Sequence, residues 1–515
     1  MARPVITEIQ EINGFGIQNI YNDDSFDEHI FYEGDIVTDF RFASNNEYVK
    51  MTGKIKKVNF NSKRFATRKN VSSDTQVRKI GSLSSIVVDG STTYESNLKG
   101  VDARSILEYQ PTKEVKKVSY FPMLKVNLRV ILSDESETSA ILYEGMILNN
   151  VVIQSNGTDY KGNFKLVSFY HEMVGSTIKL AGMYLKGDIG DFKISFYNIK
   201  KIGTESIVIE DTSDLEDALH EALTSNKGLS IGSGEIPESL NLTSSITMNG
   251  NKMDIAANYG PRKSDEISED ETVLKGKLMF SENSDIVITG FTLTNESLID
   301  LKGAKSVVLR NCKFTDMALA NSKNYLINNS VANSEGLLIQ IEGCYFGTNN
   351  NTSSNNMYNL FELNSKLKDG SYVKNCYFAA DVCVHNIINL YDVEDNATIY
   401  IENNHFEKSI NACRVGFKGA PQNVTVILNN NVYDETDSDP NYAGLLIIQP
   451  YGTATTSMGG VTIKINKTKY TNKDNNNTQL FYVWYYPGEP EIRGELAPTV
   501  YVDGKLVDLI YPQDQ

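Results

Sequence analysis

Carboxylates are the residues of this chain with the clearest potential for catalysis, and they cluster in the segment AADVCVHNIINLYDVEDN. Asp392 and Glu394 are two residues apart, so on a strand they face the same side, about 7 Å from each other. Inverting glycosidases place their general acid and general base at a similar separation. With Asp381, His385 and Asp395 in the same segment, one interpretation is a polysaccharide-cleaving site. The other is a solvated turn that leads into the strand ATIYIENNHF.

Three cysteines, Cys312, Cys344 and Cys376, stand in one recurring phrase, RNCKF, EGCYF and KNCYF. Such cysteines could be metal ligands, disulfide partners or the marks of a structural period. In later copies of the phrase Asn404 and Asn431 take the cysteine position, and neither preserves a metal site or a disulfide. We therefore expect free, buried thiols that behave as small apolar residues. No cysteine or histidine spacing indicates zinc, so we expect no metal and no cofactor.

The recurring phrase can be aligned eight times between Thr247 and Tyr470. The position three residues before the cysteine is always apolar: Met248, Ile288, Leu309, Ile341, Val373, Ile401, Leu428 and Ile465. So is the position two residues after it: Met253, Leu293, Phe314, Phe346, Phe378, Phe406, Tyr433 and Tyr470. The residue before the cysteine is mostly Asn or Gly, which tolerate a backbone bend. Fixed positions with variable spacing predict a coil of stacked turns, because one turn cannot bury its apolar side chains alone.

The composition is that of an all-β protein. The chain has 28 Tyr and 21 Phe, which favour strands, against one Trp. The net charge of −16 is spread along the chain, which argues against nucleic acid or an anionic membrane as the partner. No stretch approaches the about 20 apolar residues of a membrane span, and the start MARPVITEIQEINGF has no signal-peptide core.

Three matches recur in the same order in the first half of the chain: FYEGDIV with LYEGMIL, GKIKKVNF with GNFKLVSF, and RKIGSLSSIVVD with KKIGTESIVIED. They predict two copies of a small β-domain, over about 20–92 and 131–210. An N-terminal arm over 1–19 and a connector over 93–130 would complete this half. Neither copy holds a His, Cys or carboxylate cluster that matches the other, so we expect docking modules rather than a duplicated active site.

The shared Tyr-Glu-Gly of the first match could be a ligand site, but the plainer interpretation is a turn that leads into a strand. Gly34 and Gly145 would supply the positive φ of that turn. The second match aligns the apolar strand residues of the two copies as follows: Ile55 with Phe164, Val58 with Val167, and Phe60 with Phe169.

The segment DTSDLEDALHEALTSNKG predicts a helix at the start of the coil. Ser213 with Glu216 fits a capping box. Its apolar residues share one face: Leu215, Ala218, Leu219, Ala222 and Leu223. We expect the coil over 211–475 and a C-terminal segment over 476–515. In that last segment the aromatic stretch Phe481–Ile492 is interpreted as an end cap or subunit interface, or alternatively as a sugar-binding platform.

Residues 211–470 resemble right-handed parallel β-helix proteins of the pectin-lyase-like type, which begin with a short amphipathic helix and contain stacked x-N-C-x-F turns. The resemblance implies a single-stranded right-handed parallel β-helix with an N-terminal helical cap. It implies no single function, because this fold hosts lyases, hydrolases, adhesins and virus spikes. The catalytic motifs of polygalacturonases and pectate lyases do not occur in the coil.

The first hypothesis is a structural protein of a bacteriophage virion: a tail spike, head fibre or capsid decoration protein. Its partners would be other virion proteins, further copies in a homo-oligomer such as a trimer, and host-surface polysaccharide. It would be made in the host cytoplasm and located in the virion, without nucleic-acid binding or membrane insertion. The alternative is a tailspike-type depolymerase, a glycoside hydrolase or polysaccharide lyase. A bacterial surface adhesin is the third hypothesis.

Overall fold

A computed structural model provides the structure of the chain and describes residues 5–21, 26–44, 47–69, 75–89, 106–107, 115–131, 137–174, 177–251, 266–294, 298–315, 326–347, 360–363, 365–379, 386–407, 411–435, 444–449, 457–472, 480–484, 492–509 and 511. The fold is all-β. It divides into two compact units, residues 1–186 with 191–203 and residues 187–190 with 204–515. In the described part of the chain, no helix has the length and apolar composition needed to cross a membrane.

A short 3-10 turn at Phe196–Asn198 lies between the last two strands of the first part of the chain. The strands described there are β1 (Val5–Tyr21), β2 (Phe26–Tyr32), β3 (Ile36–Ser44), β4 (Glu47–Lys69), β5 (Thr75–Asp89), β6 (Ile106–Leu107), β7 (Val115–Ile131), β8 (Glu137–Tyr143), β9 (Ile147–Ser155), β10 (Thr158–Val174), β11 (Thr177–Gly187), β12 (Gly190–Ser195) and β13 (Ile199–Lys201). Strands β2, β1, β7 and β8 form one antiparallel sheet in that order, and β5, β4, β3 and β6 form another. Strand β10 pairs with β9 and with β11.

The first unit has neither the separate arm over 1–19 nor the connector over 93–130 that we expected. Strand β1 begins in the proposed arm and extends beyond it, β7 begins in the proposed connector and extends beyond it, and the two pair along their whole length. Val126 and Leu128 of β7 are fully buried. Both segments therefore belong to the centre of a sheet, where each strand pairs its backbone N–H and C=O groups with a neighbour on both sides.

The Tyr-Glu-Gly turns have the geometry that their sequence predicts. The φ angles of Gly34 and Gly145 are 103° and 93°. A Cβ atom at either position would meet no other atom within 4 Å, so the backbone conformation, and not space, requires glycine. The Gly34 N–H donates to Ile55 O at 2.8 Å, and the Gly145 N–H donates to Leu166 O at 2.7 Å. These two bonds make Ile55 the structural counterpart of Leu166.

The carboxylate of each Tyr-Glu-Gly turn reaches the next strand. Glu33 Oε1 accepts from the Val58 N–H at 2.9 Å, and Glu144 Oε1 accepts from the Phe169 N–H at 3.3 Å. The alignment of Val58 with Val167 is therefore wrong by two residues, as is that of Ile55 with Phe164 and of Phe60 with Phe169. Val58 is 2% exposed and Val167 is 48% exposed. Alternation has a period of two, so the apolar pattern is the same before and after a shift of two residues.

The third match, which equates RKIGSLSSIVVD with KKIGTESIVIED, is also wrong. The segment RKIGSLSSIVVD lies in β5, which pairs with β4. KKIGTESIVIED is instead split between β13, which pairs with β9, and the next strand, Thr204–Ile209, which pairs in parallel with Gly228–Ile231. The boundary therefore falls after residue 203 and not after 210. The resemblance reflects alternating β-branched residues that both strands need.

The second part of the chain contains one described α-helix, α1 (Leu215–Ser225), a 3-10 turn at Gly494–Leu496 and these strands: β14 (Thr204–Ile209), β15 (Gly228–Ile231), β16 (Gly234–Ile236), β17 (Leu240–Asn241), β18 (Ile246–Asn249), β19 (Thr272–Leu274), β20 (Leu278–Met279), β21 (Asp285–Thr289), β22 (Phe291–Leu293), β23 (Ile299–Asp300), β24 (Ser306–Arg310), β25 (Lys313–Phe314), β26 (Ile327–Asn328), β27 (Leu338–Glu342), β28 (Tyr345–Phe346), β29 (Phe361–Glu362), β30 (Tyr372–Lys374), β31 (Tyr377–Phe378), β32 (Asn386–Leu390), β33 (Thr398–Glu402), β34 (His405–Phe406), β35 (Asn411–Val415), β36 (Val424–Asn429), β37 (Val432–Glu435), β38 (Gly444–Ile448), β39 (Val461–Asn466), β40 (Lys469–Asn472), β41 (Phe481–Val483), β42 (Thr499–Val502) and β43 (Lys505–Leu506).

These strands form long parallel sheets that the chain visits in rotation. The first sheet runs β14-β15-β18-β21-β24-β27-β30-β33-β36-β39-β42, and the second runs β16-β19-β22-β25-β28-β31-β34-β37-β40. The third has two parts, β17-β20-β23-β26-β29 and β32-β35-β38-β41, joined by a parallel bridge between Leu363 and Leu390. Each strand lies beside the strand one turn earlier, an arrangement compatible with a β-helix. At about 4.8 Å per strand the first sheet is about 50 Å long.

The apolar positions predicted to stack are adjacent in the structure. From Met248 to Ile465, each residue of the first predicted column pairs with the next, and Leu229 and Val502 extend this column at its two ends. No predicted member of the column is more than 6% exposed. The prediction is confirmed, because one-sided burial permits only one register.

The second apolar column is confirmed from Leu293 to Tyr470, but Met253 was wrongly included. Leu274 of β19 holds that position and pairs with Leu293. Met253 lies outside the described residues. Strands β18 and β19 are separated by 22 residues, and the spacing between copies of the phrase varies, so the sequence gives no period from which the start of β19 could be predicted.

The bend before the cysteine position has the left-handed backbone conformation in seven successive copies. The φ angles are 50° to 74° at six Asn or Gly positions and 48° at Lys467: Gly290, Asn311, Gly343, Asn375, Asn403, Asn430 and Lys467. Asn and Gly adopt this conformation with little strain, which confirms the reason given for their recurrence. Lys467 is the exception, since its longer side chain gains no local hydrogen bond there.

Helix α1 lacks the predicted capping box. Its N-cap is Asp214 and makes no side-chain hydrogen bond, while the Ser213 N–H donates to Asp211 Oδ1 at 2.8 Å. The predicted apolar face does contact the core: Ala218 and Ala222 are buried, and the three leucines pack against the core while partly exposed. Packing of the apolar face, rather than the cap, therefore holds this helix.

The aromatic stretch near the C-terminus does not begin a separate segment at residue 476. Phe481, Tyr482 and Val483 form β41, pair in parallel with β38 and are at most 4% exposed. The first sheet continues to β42, which pairs antiparallel with β43. The parallel stack thus extends beyond the expected end at 475. Strands β41 and β42 belong to its last turn, where each pairs with a strand of the preceding turn.

The exception at Lys467 leads to a stability prediction. Lys467→Asn should stabilise the protein by about 0.5–1 kcal/mol, because Asn adopts the left-handed conformation more readily than Lys. The thermal unfolding midpoint should rise accordingly. Lys469→Asn is the matched control: Lys469 is also exposed but lies in β40, where Asn is disfavoured, so the midpoint should stay the same or fall. A lower midpoint for Lys467→Asn would contradict the strain argument.

Candidate functional site

The interior of the second unit is a packed core. Two cavities in it have volumes of about 20 and 10 Å³, and their lining is mainly apolar side chains such as Ile341, Phe361 and Leu390, and Leu274, Leu278 and Ile288. Each is at most large enough for a single water molecule, which such a lining does not favour. Neither of these two cavities can hold a ligand larger than water, so we turn to the outward faces of the sheets.

The structure places Asp392 and Glu394 on such an outward face. They flank Val393, which is buried and forms a parallel bridge with Leu367 of the preceding turn. Both carboxylates are partly exposed, which agrees with the predicted alternation. The third candidate, Asp381, lies outside the described residues, as does His385.

Two lysines, Lys366 and Lys418, lie close enough to Asp392 for their charges to affect its pKa. Burial raises the pKa of Asp392, while a hydrogen bond from the Val393 N–H at 2.9 Å and the charges of Lys366 and Lys418 act in the opposite direction. Glu394 packs over Gly336, where a Cβ atom would lie 2.6 Å from its Oε1 atom. A half-buried acid beside a second carboxylate could donate a proton, whereas the nearby Lys366 and Lys418 charges favour the ionised form of Asp392.

Sequence reasoning missed a second group of charged residues, here named the charged ladder: Arg310, Glu342, Lys374 and Glu402. They occupy one position on four successive strands of the first sheet, so charges of opposite sign are direct neighbours. Lys374 Nζ lies 3.0 Å from Glu402 Oε2, and Arg310 Nε lies 3.7 Å from Glu342 Oε2. The signal was visible in the sequence, since each of these residues stands two places before the cysteine position.

Arg310 is the most buried cation of the charged ladder. Its Nη1 atom lies 3.2 Å from Oδ2 of Asp188, and the two side chains are 10% and 0% exposed. The Asn311 Nδ2 atom donates to Asp188 O at 3.1 Å. Burial by itself lowers the pKa of Arg310, but the Asp188 and Glu342 carboxylates raise it overall, so the guanidinium keeps its charge.

Two tyrosines lie beside the charged ladder on adjacent strands. Lys374 Nζ is 4.8 Å from the ring centroid of Tyr372 and 4.7 Å from that of Tyr400. The Tyr372 hydroxyl donates to Glu342 Oε2 at 3.3 Å, and burial together with the Glu342 charge raises the pKa of Tyr372 to about 12. Aromatic rings, carboxylates and an ammonium on one face can bind polar ligands, and they hold no nucleophile activated for catalysis.

The cysteines of the recurring phrase are free and buried, as predicted. Cys312, Cys344 and Cys376 are at most 1% exposed. Burial raises the pKa of Cys344 well above its ordinary value. The column continues in Asn404, whose Oδ1 accepts from the Cys376 N–H at 3.0 Å. Among the described residues, no group of three or more His, Cys, Asp or Glu side chains is placed to hold a metal ion.

Comparison of the chain with protein-family models, curated proteins and solved structures gives no match. The likeness to β-helix proteins therefore depends on the recurring phrase and on the parallel sheets. The arrangement of the outward residues is the available guide to function.

The buried thiols should be unreactive in the folded protein. In a Cys383→Ser variant, Cys312, Cys344, Cys376 and Cys413 should not react with a disulfide reagent such as DTNB under native conditions. Because burial raises the pKa of Cys344 and Cys413, their reactivity should stay low even when the pH passes the ordinary thiol value of about 8.5. All four should react in guanidinium chloride. Rapid native labelling would contradict their burial.

Asp188 should be important for stability because it compensates a buried cation. Asp188→Asn should destabilise the protein by about 3 kcal/mol, since it leaves Arg310 without its closest counter-charge. Asp159→Asn is the matched control: Asp159 is 48% exposed, its oxygen lies 2.5 Å from Lys200 Nζ, and its loss should matter by less than about 1 kcal/mol. Equal thermal midpoints for the two variants would show that Arg310 does not depend on Asp188.

Proposed function

We propose that this chain is a structural protein of a bacteriophage virion, namely a spike, fibre or decoration protein. Its second unit would be a single-stranded right-handed parallel β-helix, and its N-terminal β-modules would attach it to the capsid or tail. The observation that carries this proposal is the unbroken register of the first sheet from β14 to β42. Such a stack with a filled interior is suited to projecting a surface rather than to enclosing a substrate.

Two further elements of the proposal are a duplicated module and a helical cap. The recurrence of the Gly34 and Glu33 hydrogen bonds at Gly145 and Glu144 supports two copies of one hairpin. The burial of Ala218 and Ala222 of α1 in the core supports a helix that covers the first turn. A cap of this kind protects an otherwise open end from pairing with other chains.

The partners follow from this role. Its partners would be other virion proteins and further copies of the same chain, for example in a trimer. The chain would be made in the host cytoplasm and located in the virion. The face around Tyr400 and Lys374 would contact host-surface polysaccharide, because tyrosine rings and charged groups together suit sugar rings and their substituents.

A depolymerase is the second candidate, and Asp392 is the observation that favours it. Its pKa is raised by burial, and it shares an outward face with Glu394. A raised pKa is what a general acid for glycoside cleavage requires. In this reading, Glu394 would be the second carboxylate.

Labelling of particles tests the proposed function. Antibodies against the purified chain should bind purified bacteriophage particles at one type of location in immunogold micrographs, and the chain should co-purify with them. Cryo-microscopy of the same particles would show the position. Absence from the particles, or presence only in a bacterial envelope, would refute the virion assignment.

A polysaccharide assay separates the two candidates. The purified chain should release no oligosaccharides from host polysaccharide. Release that disappears in both Asp392→Asn and Glu394→Gln, but persists in the exposed control Asp395→Asn, would establish the depolymerase instead.

A further inference from the structure

Of the lysines whose burial the structure describes, Lys313 alone is buried, with 1% of its surface exposed. A lysine ordinarily buries only its hydrocarbon stem and extends its ammonium group into water. Lys313 lies in β25 beside the core residue Phe314, and alternation along the strand turns its side chain to the outward face of the second sheet. Other residues of the chain must therefore cover it there.

A segment outside the sheets provides this cover. Residues 266–271, here named the strap, precede β19. The ammonium group of Lys313 donates a hydrogen bond to Glu266 O, and Glu271 at the other end of the strap lies against it. Residues 266–270 are themselves exposed. Lys313 therefore holds the strap on the outward face of the sheet through its ammonium group.

The Glu271 carboxyl group is the second buried group of this site. Its Oε1 atom lies 3.5 Å from Lys313 Nζ, and the Glu271 and Lys313 side chains are 6% and 2% exposed. The Ser268 hydroxyl donates to Oε1 at 3.1 Å, and the Thr292 hydroxyl donates to Oε2. Each carboxyl oxygen thus has a hydroxyl partner, and Oε1 also faces the amine.

Exposure distinguishes this pair from a closer ion pair of the chain. Lys200 Nζ lies 2.5 Å from Asp159 Oδ2, but those side chains are 25% and 48% exposed, so water supports both charges. Lys313 and Glu271 have lost almost all of their water, which makes the two ions costly. Transfer of one proton from the ammonium to the carboxylate removes both charges. The neutral pair is an amine, which is a nucleophile, beside a carboxylic acid.

We propose that Lys313 and Glu271 form an intramolecular amide bond, an isopeptide bond, after the chain has folded. Lys313 Nζ attacks the Glu271 carboxyl carbon, and the new C–N bond replaces the bond from that carbon to Oε2. The departing oxygen carries the proton first received from the ammonium group and takes a second proton from Nζ, so that one water molecule leaves. The reaction needs no oxidant or reductant and exchanges no net proton with the solvent.

The surrounding groups suit this reaction. Two reactive groups held side by side react far faster than the same groups free in solution. The Ser268 hydroxyl is placed to stabilise the negative charge that develops on Oε1, and the Thr292 hydroxyl is placed to pass a proton to Oε2. The product buries a neutral amide in place of two charges.

The inference goes beyond the proposed function and does not depend on it. Glu271 directly precedes β19, Thr292 lies in β22 and Lys313 in β25, so the bond would tie together three successive turns. A covalent link of this kind restricts the unfolded chain as a disulfide does, but it forms without an oxidising compartment. Because its presence does not depend on where the chain is located, this proposal and the virion assignment fail separately.

Mass spectrometry of the purified, full-length chain in guanidinium chloride tests the bond. The intact mass should be lower than the mass of the unlinked chain by one water molecule. After digestion with trypsin, the peptide with Glu271 should be joined to the peptide with Lys313, and trypsin should not cleave after Lys313 because its amine is acylated. An intact mass equal to that of the unlinked chain, with cleavage after Lys313, would overturn the proposal.

A double variant supplies the matched comparison. Lys313→Met with Glu271→Gln removes the nucleophile and leaves no buried charge behind, so its peptides should be unlinked. Lys200→Met is the control and should keep the link between positions 271 and 313. Lys200 and Asp159 themselves should stay unlinked although they lie closer together, and a link between them would contradict the dependence on burial. The peptide map of the wild type decides the proposal even where the double variant fails to fold.

The same loss of water arises if Thr292 rather than Lys313 attacks Glu271, which gives an ester. Hydroxylamine at neutral pH cleaves esters, whereas amides resist it. The linked peptides should therefore survive hydroxylamine, and fragmentation should place the branch at Lys313. Cleavage by hydroxylamine, or a branch at Thr292, would overturn the amide.

Discussion

Parallel pairing in strict register is the constraint on which the second unit depends. Each strand of the first sheet lies about 4.8 Å from the strand one turn earlier, so every side chain sits directly over its counterpart. A position that faces inward in one turn must then face inward in all of them. The ring centroids of Phe314, Phe346, Phe378 and Phe406 accordingly follow one another at 4.6 to 4.8 Å with nearly parallel planes.

The same constraint shapes the outward faces. Like charges stacked at this distance would repel, and alternation along Arg310, Glu342, Lys374 and Glu402 turns each neighbour into a counter-ion. Lys366 and Lys368 lie in the turn before Asp392 and Glu394 in the same way. Charged side chains of a stacked fold therefore have a structural role before any functional one, and a carboxylate pair alone is weak evidence of catalysis.

The first unit follows a different principle. Its strands are antiparallel and its hairpins depend on local turns, where Gly34 and Glu33 define how one strand meets the next. Antiparallel sheets leave edges, and an edge must be covered, charged or used. Strands β2 and β8 are the outer strands of the sheet β2-β1-β7-β8.

The columns of the second unit could be predicted from the sequence because stacking forces the same residue type to recur. Leu309, Cys312 and Phe314 were placed correctly without any knowledge of loop structure, and so was the left-handed bend at Asn311. Asp392 and Glu394 could likewise be placed on one face, since alternation along a strand is local.

Which strand pairs with which was decided by the tertiary structure. The shift between Val58 and Val167, the misplaced Met253 and the false match at residues 200–211 all come from patterns that several pairings satisfy equally well. The burial of Asp188 against Arg310 joins residues far apart in the chain, and no local pattern encodes it. A recurring phrase therefore specifies both the buried residues and the neighbouring strand in the stacked turns, as from Met248 to Ile465. In the antiparallel unit the sequence specifies only which residues alternate, and the folded chain settles partner and register, because alternation has a period of two and is the same for several pairings.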